Sequence, residues 1–379
     1  MKKSNSLLIV IFLIALVLRL AVLLPQYSGD VKNHLAWGIG FVTNPNGLFS
    51  RHFPGFNDIN YPPVIIMIFG LAETLFRFFK NTAESLNTSL SFFPSFLVPF
   101  FNWENTHIAF YKLPGLFCDL GIGALIYLIA KRSQKKPLIP AILYLFNPAV
   151  IYTSSVWGQT ESITIFFLVL SLYFGTKSKT KDFYYSMLAF TISVLSKQTA
   201  LWFLPFYLIL WLKPLKIQKF VVGAIISLVT FFVFYLPFGL WPIQAISSYL
   251  STLSGSTTLA ADAVWNIWYF IFPVGTQDSI SLGIFSLRTF SIIILGISLL
   301  YLVLSSLKNY SHHKLLRNLF IWSLLVFFIQ TRVHERHLAF AVAFFWLAYL
   351  PNLATISAFI TLSAFHLFNL YFTLRLPFI

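Results

Sequence analysis

The sequence is poor in charged residues and in cysteine. Charged residues make up 10% of its 379 residues, and only 11 are acidic against 26 lysines and arginines. Soluble domains carry about 25% charged residues, so the composition excludes a soluble enzyme, a disordered chain and a nucleic-acid-binding domain. The single cysteine, Cys118, excludes an intramolecular disulfide and a thiolate metal cluster.

The sequence also has no motif for a nucleotide cofactor or a metal ion, and no internal repeat. Gly121 and Gly123 lack the third glycine of a dinucleotide-binding fingerprint and lie in an apolar run. A zincin motif that began at His334 would need its second metal histidine at Leu338. No internal repeat indicates the paired halves of a transporter. We therefore expect no cofactor, and the sequence leaves metal dependence open.

Long apolar runs dominate the chain instead. Hydrophobic residues make up 58% of it, and the mean hydropathy is +0.79. Since a bilayer span needs about 20 apolar residues, the pattern predicts an all-α polytopic membrane protein, a single domain over 1–379 with about 11 transmembrane helices. The predicted spans cover residues 6–25, 108–130, 138–154, 161–176, 183–196, 199–213, 219–237, 284–306, 317–331, 338–350 and 353–372.

The positive charges collect in loops that this span order places on one side. Lys2 and Lys3 precede the first span, whose apolar run is too long for a secretory signal. By the positive-inside rule that side is cytoplasmic, so we expect a multi-pass cell-membrane protein with a cytoplasmic N-terminus. The net charge of +15 then reflects topology and not nucleic-acid binding. The basic loops cover residues 131–136, 177–181, 213–219 and 308–317.

Two long loops, 26–107 and 238–283, then lie on the external side. The apolar segment Val64–Phe79 is interpreted as an interfacial helix of the first loop, because another span there would move the basic loop 131–136 outside. The acidic residues Glu73, Glu84, Glu104, Asp58 and Asp278 in these loops are expected to be solvated.

Few polar residues lie within the predicted spans. Asp119 is the only acidic residue placed inside one, and it follows Lys112 on the same helical face. Arg19 either reaches the interface or faces the helix bundle. At the outer boundary, Asp30 is by position alone explained equally well as a solvated carboxylate. Glu161 and Gln159 have no such simple explanation, whereas Trp157 alone would fit an interfacial aromatic belt.

Unusual polar residues from six segments fall on the external side and predict one composite site there. A channel would instead place polar residues across the whole depth of the membrane. The segments are Asp30, Tyr61-Pro62-Pro63, Trp157–Glu161, Lys197-Gln198, Trp265-Asn266 and Arg332-Val333-His334-Glu335-Arg336-His337.

In order along the chain, these motifs resemble integral-membrane glycosyltransferases of the GT-C superfamily. Within it the chain is most similar to prokaryotic relatives of the second GPI-anchor mannosyltransferase (PIG-V type). The motifs that carry the resemblance are Gly29-Asp30-Val31, Tyr61-Pro62-Pro63, Lys112 with Pro114-Gly115-Leu116 and Asp119, Asn147-Pro148-Ala149, Trp157-Gly158-Gln159-Thr160-Glu161, Ser196-Lys197-Gln198 and His334-Glu335-Arg336-His337.

The resemblance implies a GT-C-like bundle whose first external loop carries the catalytic carboxylate, here Asp30. It also implies transfer of a sugar, typically mannose, with inversion, from a polyprenyl-phosphate donor to a lipid or glycan acceptor. Glu161 and His337 stand where the family usually has Asp and an aromatic residue. The predicted substrate-binding residues are Tyr61, Lys112, Asp119, Trp157, Gln159, Glu161, Lys197, Gln198, Asn266, Arg332, His334, Glu335 and Arg336.

The chemistry agrees with these residue types. A single carboxylate can deprotonate an acceptor hydroxyl as it attacks the sugar, and cations can stabilise the departing phosphate. Arg332 and Arg336 are predicted to bind that phosphate, sharing one face if the helix continues through them. The predicted partners are the donor, the acceptor and membrane lipids.

Two other functions remain open from the sequence. The first is a transporter or flippase of lipid-linked sugars, for which ionisable residues spread across the membrane would be expected. The second is an oligosaccharide polymerase, which would also have a large external loop. The sequence identifies neither the sugar nor the acceptor.

Overall fold

The structure is a computed structural model that describes residues 2–24, 28–132, 136–177, 179–214, 216–254, 257–262 and 264–373. Lys135 of the predicted basic loop and the junction 25–27 after the first predicted span lie outside the described residues. In the described part the regular secondary structure is helical except for a hairpin of two short antiparallel strands, β1 (Ser281–Leu282) and β2 (Phe285–Ser286).

The helices follow one another with short connections. The α-helices are α1 (Lys2–Ala21), α2 (Gly29–Thr43), α3 (Pro63–Ser89), α4 (Leu97–Asn102), α5 (Glu104–Ala130), α6 (Leu138–Leu145), α7 (Pro148–Ile151), α8 (Glu161–Gly175), α9 (Thr180–Ser196), α10 (Leu204–Leu212), α11 (Ile217–Tyr235), α12 (Pro242–Ser251), α13 (Ile267–Ile271), α14 (Leu287–Leu307), α15 (His312–Ile329), α16 (Ala339–Ala348) and α17 (Leu353–Thr373). Tyr152–Trp157 forms a π-helical turn, and 3₁₀ turns cover Leu48–Ser50, Gln198–Phe203, Leu236–Phe238, Thr252–Ser254 and Glu335–Leu338.

Each predicted span falls on helix, but the predicted number of transmembrane helices is not confirmed. Within the described residues, four single helices are long and apolar enough to cross a membrane, and a bent pair raises the number to five. Several of the remaining helices are shorter than a bilayer requires. The four are Glu104–Ala130, Ile217–Phe238, Leu287–Leu307 and Leu353–Thr373. The chain is thus a largely helical membrane protein.

The bent pair is α6 followed by Pro148–Trp157, which meet at an angle of 47°. Pro148 lacks the backbone N–H that would continue the α6 hydrogen-bond ladder, so the helix restarts there. Asn147 caps the new start, since its side chain accepts a hydrogen bond from the Ala149 N–H at 2.9 Å. This break turns the π-helical turn toward α2.

The helices divide into a buried centre and a lipid-facing surface. All residues of α16 are buried, and it packs against α5, α8, α15 and α17. By contrast α11 and α14 expose large apolar side chains, such as Leu228 (57% exposed) and Ile297 (66% exposed). An apolar surface of this extent fits contact with lipid chains.

Arg19 and Asp119 form an ion pair inside this bundle. Both side chains are fully buried, and Arg19 Nε lies 3.8 Å from Asp119 Oδ2. Arg19 also donates to the Leu145 carbonyl at 2.8 Å. Of the two alternatives for Arg19, the structure therefore shows the one that faces the bundle.

The first long loop is held to α5 by Glu73, and the expectation that this carboxylate is solvated is wrong. Glu73 is 2% exposed. It accepts hydrogen bonds from Arg77 Nε at 2.6 Å and Tyr111 OH at 2.9 Å, and His107 Nε2 lies 2.6 Å away. Two of these partners lie on α5, so burial follows from the packing of α3 on α5 and not from local sequence.

Candidate functional site

The π-helical turn Tyr152–Trp157 is the central element of the site. It ends at Gly158, whose φ of 83° lies in the left-handed region. A Cβ at this position would lie 2.7 Å from Val31 Cγ2 on α2. Glycine is therefore required both for the turn and for the close approach of α2. The next residue, Gln159, is thereby directed at the start of α2.

Asp30 lies in the first turn of α2 and contacts Gln159. The Gln159 Nε2 donates a hydrogen bond of 2.6 Å to Asp30 Oδ2. Burial raises the pKa of Asp30, but Arg336 and the Gln159 hydrogen bond lower it more, and the pKa lies below its ordinary value. Asp30 is therefore ionised at neutral pH. Because it is half-buried and not enclosed, a hydroxyl group can approach it.

His34 lies one turn after Asp30, inside an aromatic group. It is 2% exposed, and its ring stacks on Phe69 at 4.4 Å between centroids. Burial lowers the pKa of His34 to about 3, so the ring is neutral at physiological pH. Asp30 is consequently the ionised group of this turn.

A compact charge cluster lies behind Asp30 and is formed by Glu161, Lys197, Arg336 and Glu335. Glu161 is fully buried, and its Oε1 accepts a hydrogen bond from Lys197 Nζ and lies 3.3 Å from Arg336 Nε. Arg336 Nη1 donates to Glu335 Oε1 at 3.1 Å. Buried charges of this kind persist only when paired, which explains the mixed signs.

Two aromatic rings cover the cations of this cluster. The guanidinium carbon of Arg336 lies 5.9 Å from the Trp157 ring centre, and Lys197 Nζ lies 5.2 Å from the Tyr61 ring centre. Both distances fit cation–π contacts. Of the predicted site residues, the structure thus brings together Asp30, Tyr61, Trp157, Gln159, Glu161, Lys197, Glu335 and Arg336.

Arg332 and Arg336 would share a helical face only if a helix continued through both, and it does not. Helix α15 ends at Ile329, and Arg332 adopts a left-handed φ of 62°. Arg332 Nε and Nη2 donate to the two carboxylate oxygens of Asp278 at 2.6 and 3.1 Å. Asp278 is 2% exposed, so its predicted solvation is also wrong. Both differences arise because two loops that are distant in sequence pair with each other. The local sequence around each residue gives no signal of that pairing.

One cavity of about 570 Å³ begins at this cluster and extends along α14. Its polar end contains Lys197, Arg332, Arg336 and also Arg288, which the sequence analysis did not single out. Its apolar wall includes Ile292, Leu295, Gly296 and Leu299 of α14 with Leu201, Trp202 and Trp322. Tyr61, Gln198, His334 and His337 also line it.

Arg288 differs from the other cations of this cavity. The structure pairs Arg332 with Asp278, Arg336 with Glu161 and Glu335, and Lys197 with Glu161. Among the described residues no carboxylate lies within ion-pair distance of the exposed Arg288 guanidinium. Its charge is thus available to a ligand.

A second cavity, open and about 560 Å³ in volume, contains Asp30. Its other described lining residues are neutral: Ser28, Gly29, Asn33, Gly55, Phe56, Asn57 and Trp157. Trp157 lines this cavity, whereas Arg336, which lies beside its ring, lines the first one. The Trp157–Arg336 contact therefore separates the two cavities.

The remaining predicted residues have internal partners. Asn266 caps α13 by accepting from the backbone N–H groups of Trp268 and Tyr269 at 3.1 and 3.2 Å. Lys112 and Asp119 contact the π-helical turn from α5, and neither is among the residues that line the two cavities. Gln198 donates to the Thr252 carbonyl at 2.9 Å. Their predicted substrate contacts stay predictions.

The second long loop adds one acidic residue that the sequence reading missed. Asp262 Oδ2 lies 3.8 Å from His334 Nδ1, so this loop contacts the segment that carries Glu335 and Arg336. A signal was available, since Asp262 is among only 11 acidic residues and lies in the second long loop. Within the described residues, no three His, Cys, Asp or Glu side chains group together in a way that suits a metal ion.

Comparison with known protein families gives a match to part of the chain. Residues 104–241, just over a third of the chain, match the family of dolichyl-phosphate-mannose-protein mannosyltransferases. The matched stretch contains the π-helical turn, Glu161 and Lys197, but neither Asp30 nor Arg336. No curated protein sequence matches the chain significantly. The match supports a membrane glycosyltransferase, and the closer PIG-V relationship stays a prediction.

Proposed function

We propose that the protein transfers a hexose, most simply mannose, from a polyprenyl-phosphate donor to an acceptor hydroxyl with inversion. The observation that carries this proposal is the contact between Trp157 and Arg336. It separates a cavity with a cationic end and an apolar wall from a neutral cavity that contains an ionised carboxylate. These are the two environments that a lipid-phosphate donor and a hydroxyl acceptor require. The family match supports the same reaction class.

The cavity along α14 is assigned to the donor. A prenyl chain needs apolar surface continuous with the membrane, which Leu295, Gly296 and Leu299 offer. A phosphate needs cations, and guanidinium groups bind its oxygens through paired N–H donors. Arg288 and Arg336 are placed for this at the polar end of the same cavity.

The cavity at Asp30 is assigned to the acceptor. Its described lining offers amides from Asn33 and Asn57, the Ser28 hydroxyl and the exposed Phe56 ring, but no cation. Amide groups both donate and accept hydrogen bonds, as hydroxyl groups do. Such a lining suits the neutral hydroxyl groups of a glycan better than a phosphorylated group, which would need cations.

In the proposed reaction Asp30 acts as the general base. Its carboxylate takes the proton of the acceptor hydroxyl while that oxygen forms a bond to the anomeric carbon. The bond from this carbon to the phosphate oxygen breaks, and polyprenyl phosphate leaves with the electron pair. The cations at the first cavity stabilise the phosphate as negative charge accumulates on it. A single displacement of this kind inverts the anomeric carbon.

We place the site on the external side of the membrane, with the N-terminus and the basic loops in the cytoplasm. The support is the charge distribution over the loops. A cysteine introduced at Lys136 or at Asn57, in a Cys118→Ala background, distinguishes the two orientations. Only the cysteine at 57 should react with a membrane-impermeant reagent added to intact cells.

Transfer of radiolabel from polyprenyl-phosphate mannose to glycan acceptors by the purified protein tests the proposed function. A matched pair of variants tests the donor cavity in the same assay. A Cβ at Gly296 meets open space, so Gly296→Trp fills the cavity, whereas Ile297→Trp points the same ring at lipid. Gly296→Trp should raise KM for a long-chain donor, and Ile297→Trp should not.

A further outcome separates transfer from transport. A flippase would move the labelled lipid across a proteoliposome membrane and leave the label on the lipid. If the wild-type protein translocates the donor without transferring the sugar to any acceptor, the proposed function is wrong.

A further inference from the structure

Helix α5 holds the π-helical turn at two buried polar contacts. Lys112 Nζ donates to the Val156 carbonyl at 2.8 Å, and Ser154 Oγ donates to Asp119 Oδ2. Between them, Gly115 packs against the same segment, where a Cβ would make an ordinary van der Waals contact 3.4 Å from the Gln159 carbonyl oxygen. The face of α5 that carries Lys112 and Asp119 therefore holds the π-helical turn in place.

Lys112 makes a second contact, with the chain segment that follows α1. Its Nζ also donates to the Leu23 carbonyl at 3.0 Å, at the end of the segment that follows α1. Lys112 is 1% exposed, and it lines neither cavity. A buried ammonium group is costly unless it donates hydrogen bonds, so these carbonyls are held close to it.

The two carbonyls lie on the two chain segments that lead to the proposed catalytic pair. Val156 precedes Gln159 in the turn, and Leu23 precedes Asp30. The Ser28 hydroxyl, 3.4 Å from the Trp157 carbonyl, joins the same two segments nearer to Asp30. Lys112 thus connects the segment that carries the carboxylate with the segment that carries its hydrogen-bond donor.

We propose that Lys112 is a positioning residue, which holds Asp30 and Gln159 in hydrogen-bonding register and does not contact substrate. The proposal rests on the proposed function for its consequence, because a misplaced base slows transfer. A displacement of about 1 Å at a reacting group can lower a rate about 100-fold. Lys112 acts through Gln159, so its effect should vanish where Gln159 cannot donate.

A double-mutant cycle of Lys112→Met and Gln159→Leu tests this proposal. We expect each single variant to lower kcat at least tenfold with little change in donor KM. The double variant should have about the same kcat as the slower single variant. Its kcat should therefore be at least fivefold above the value expected if the two effects were independent and multiplied. Multiplicative effects, or a large rise in donor KM for Lys112→Met, would overturn the proposal.

Asn318→Leu is the matched control for general damage to the fold. Asn318 is also buried at 2% exposure and donates to the Leu302 carbonyl and to Ser306, but on α15. Combined with Gln159→Leu, it should give multiplicative effects. If Lys112→Met does not fold, Lys112→Gln, which keeps an N–H donor, replaces it in the same cycle with the same two outcomes.

A measurement that does not depend on sugar transfer, the titration of Asp30, tests this proposal independently of the proposed function. In protein labelled with ¹³C at aspartate carboxyl carbons, Asp30 is assigned by the signal missing in Asp30→Asn. The groups facing Asp30 are Arg336, His34, Lys197 and Gln159. Lys112→Met should raise the Asp30 titration midpoint in the wild-type background but not in Gln159→Leu. An unchanged midpoint would contradict positioning, even in a protein that transfers no sugar.

Discussion

Gln159 donates its side-chain amide to Asp30 at 2.6 Å, across 129 positions of sequence. The contact exists because a π-helical turn and a left-handed glycine direct Gln159 toward the first turn of α2. It leaves the second carboxylate oxygen of Asp30 free of Gln159. That arrangement suits a base that has to be both fixed in place and accessible.

The first prediction concerns Asp30 itself. Asp30→Asn keeps the size of the side chain but removes its basicity, so kcat should fall about 10²- to 10⁴-fold. Donor affinity should change little, because the cations of the other cavity remain. Asp58→Asn is the control, since Asp58 lies in the same loop and is 61% exposed beside His52. Near wild-type turnover in folded Asp30→Asn would show that Asp30 is not the base.

The second prediction concerns pH. The active form of a base is the deprotonated one, and the pKa of Asp30 lies below its ordinary value because Arg336 and Gln159 outweigh burial. From pH 8 down to about 5, kcat/KM should therefore show no loss from Asp30, and the loss should begin only as pH falls toward its pKa.

Gln159→Leu should move the acid limb of that profile to higher pH, because a hydrogen bond that lowers the pKa of Asp30 is removed. His34, with a pKa of about 3, is neutral throughout this range and adds no limb above pH 5. The measurement is kcat/KM against pH for both proteins. An acid limb in the same place for both would refute the assigned role of the hydrogen bond.

The helices of the predicted spans and the polar cluster were predictable because their signals are local. Apolar runs mark these helices, and interruptions such as Trp157-Gly158-Gln159 or Ser196-Lys197-Gln198 mark their ends, whereas helices such as α2 and α12 lie in segments predicted as loops. Where polar residues interrupt several apolar runs on one side, their convergence follows from topology alone. This is why Asp30, Gln159, Glu161 and Arg336 could be grouped before any coordinates.

What the sequence did not predict depends on contacts between distant segments. From the sequence, Glu73 is expected to be a solvated loop carboxylate, but His107 and Tyr111 of α5 contact it in the folded chain. The same expectation fails for Asp278, because Arg332 adopts a positive φ and donates to it. The condition that a helix continues through Arg332 and Arg336 is not met, since α15 ends at Ile329.

The third prediction concerns Arg288, the cation of the donor cavity whose charge no described carboxylate balances. Hydrogen bonds that involve a charged group contribute about 1.5–3 kcal/mol, so Arg288→Ala should raise the donor Kd about 10- to 100-fold. Arg288→Lys should restore only part of the affinity, because an ammonium lacks the planar pair of donors.

The control for Arg288 is Arg317→Ala, an exposed arginine near the start of α15 that lines neither cavity. Binding is measured with short-chain polyprenyl-phosphate mannose, so that the phosphate contact is not hidden by the apolar chain. Equal affinities for Arg288→Ala and wild type would exclude Arg288 from the phosphate site.

The last prediction concerns the stability of the bundle. Arg19 and Asp119 are fully buried and 3.8 Å apart, and Asp119 also accepts from Tyr144 OH at 3.4 Å. Asp119→Leu leaves a buried guanidinium without its counter-charge, which in buried ion pairs costs about 3–5 kcal/mol. The double variant Arg19→Met with Asp119→Leu removes both charges, so it should recover most of that loss. Thermal unfolding of the purified proteins in detergent measures the difference. Because the prediction depends on the unpaired charge, a double variant no more stable than Asp119→Leu would show that packing, and not charge pairing, is what Asp119 contributes.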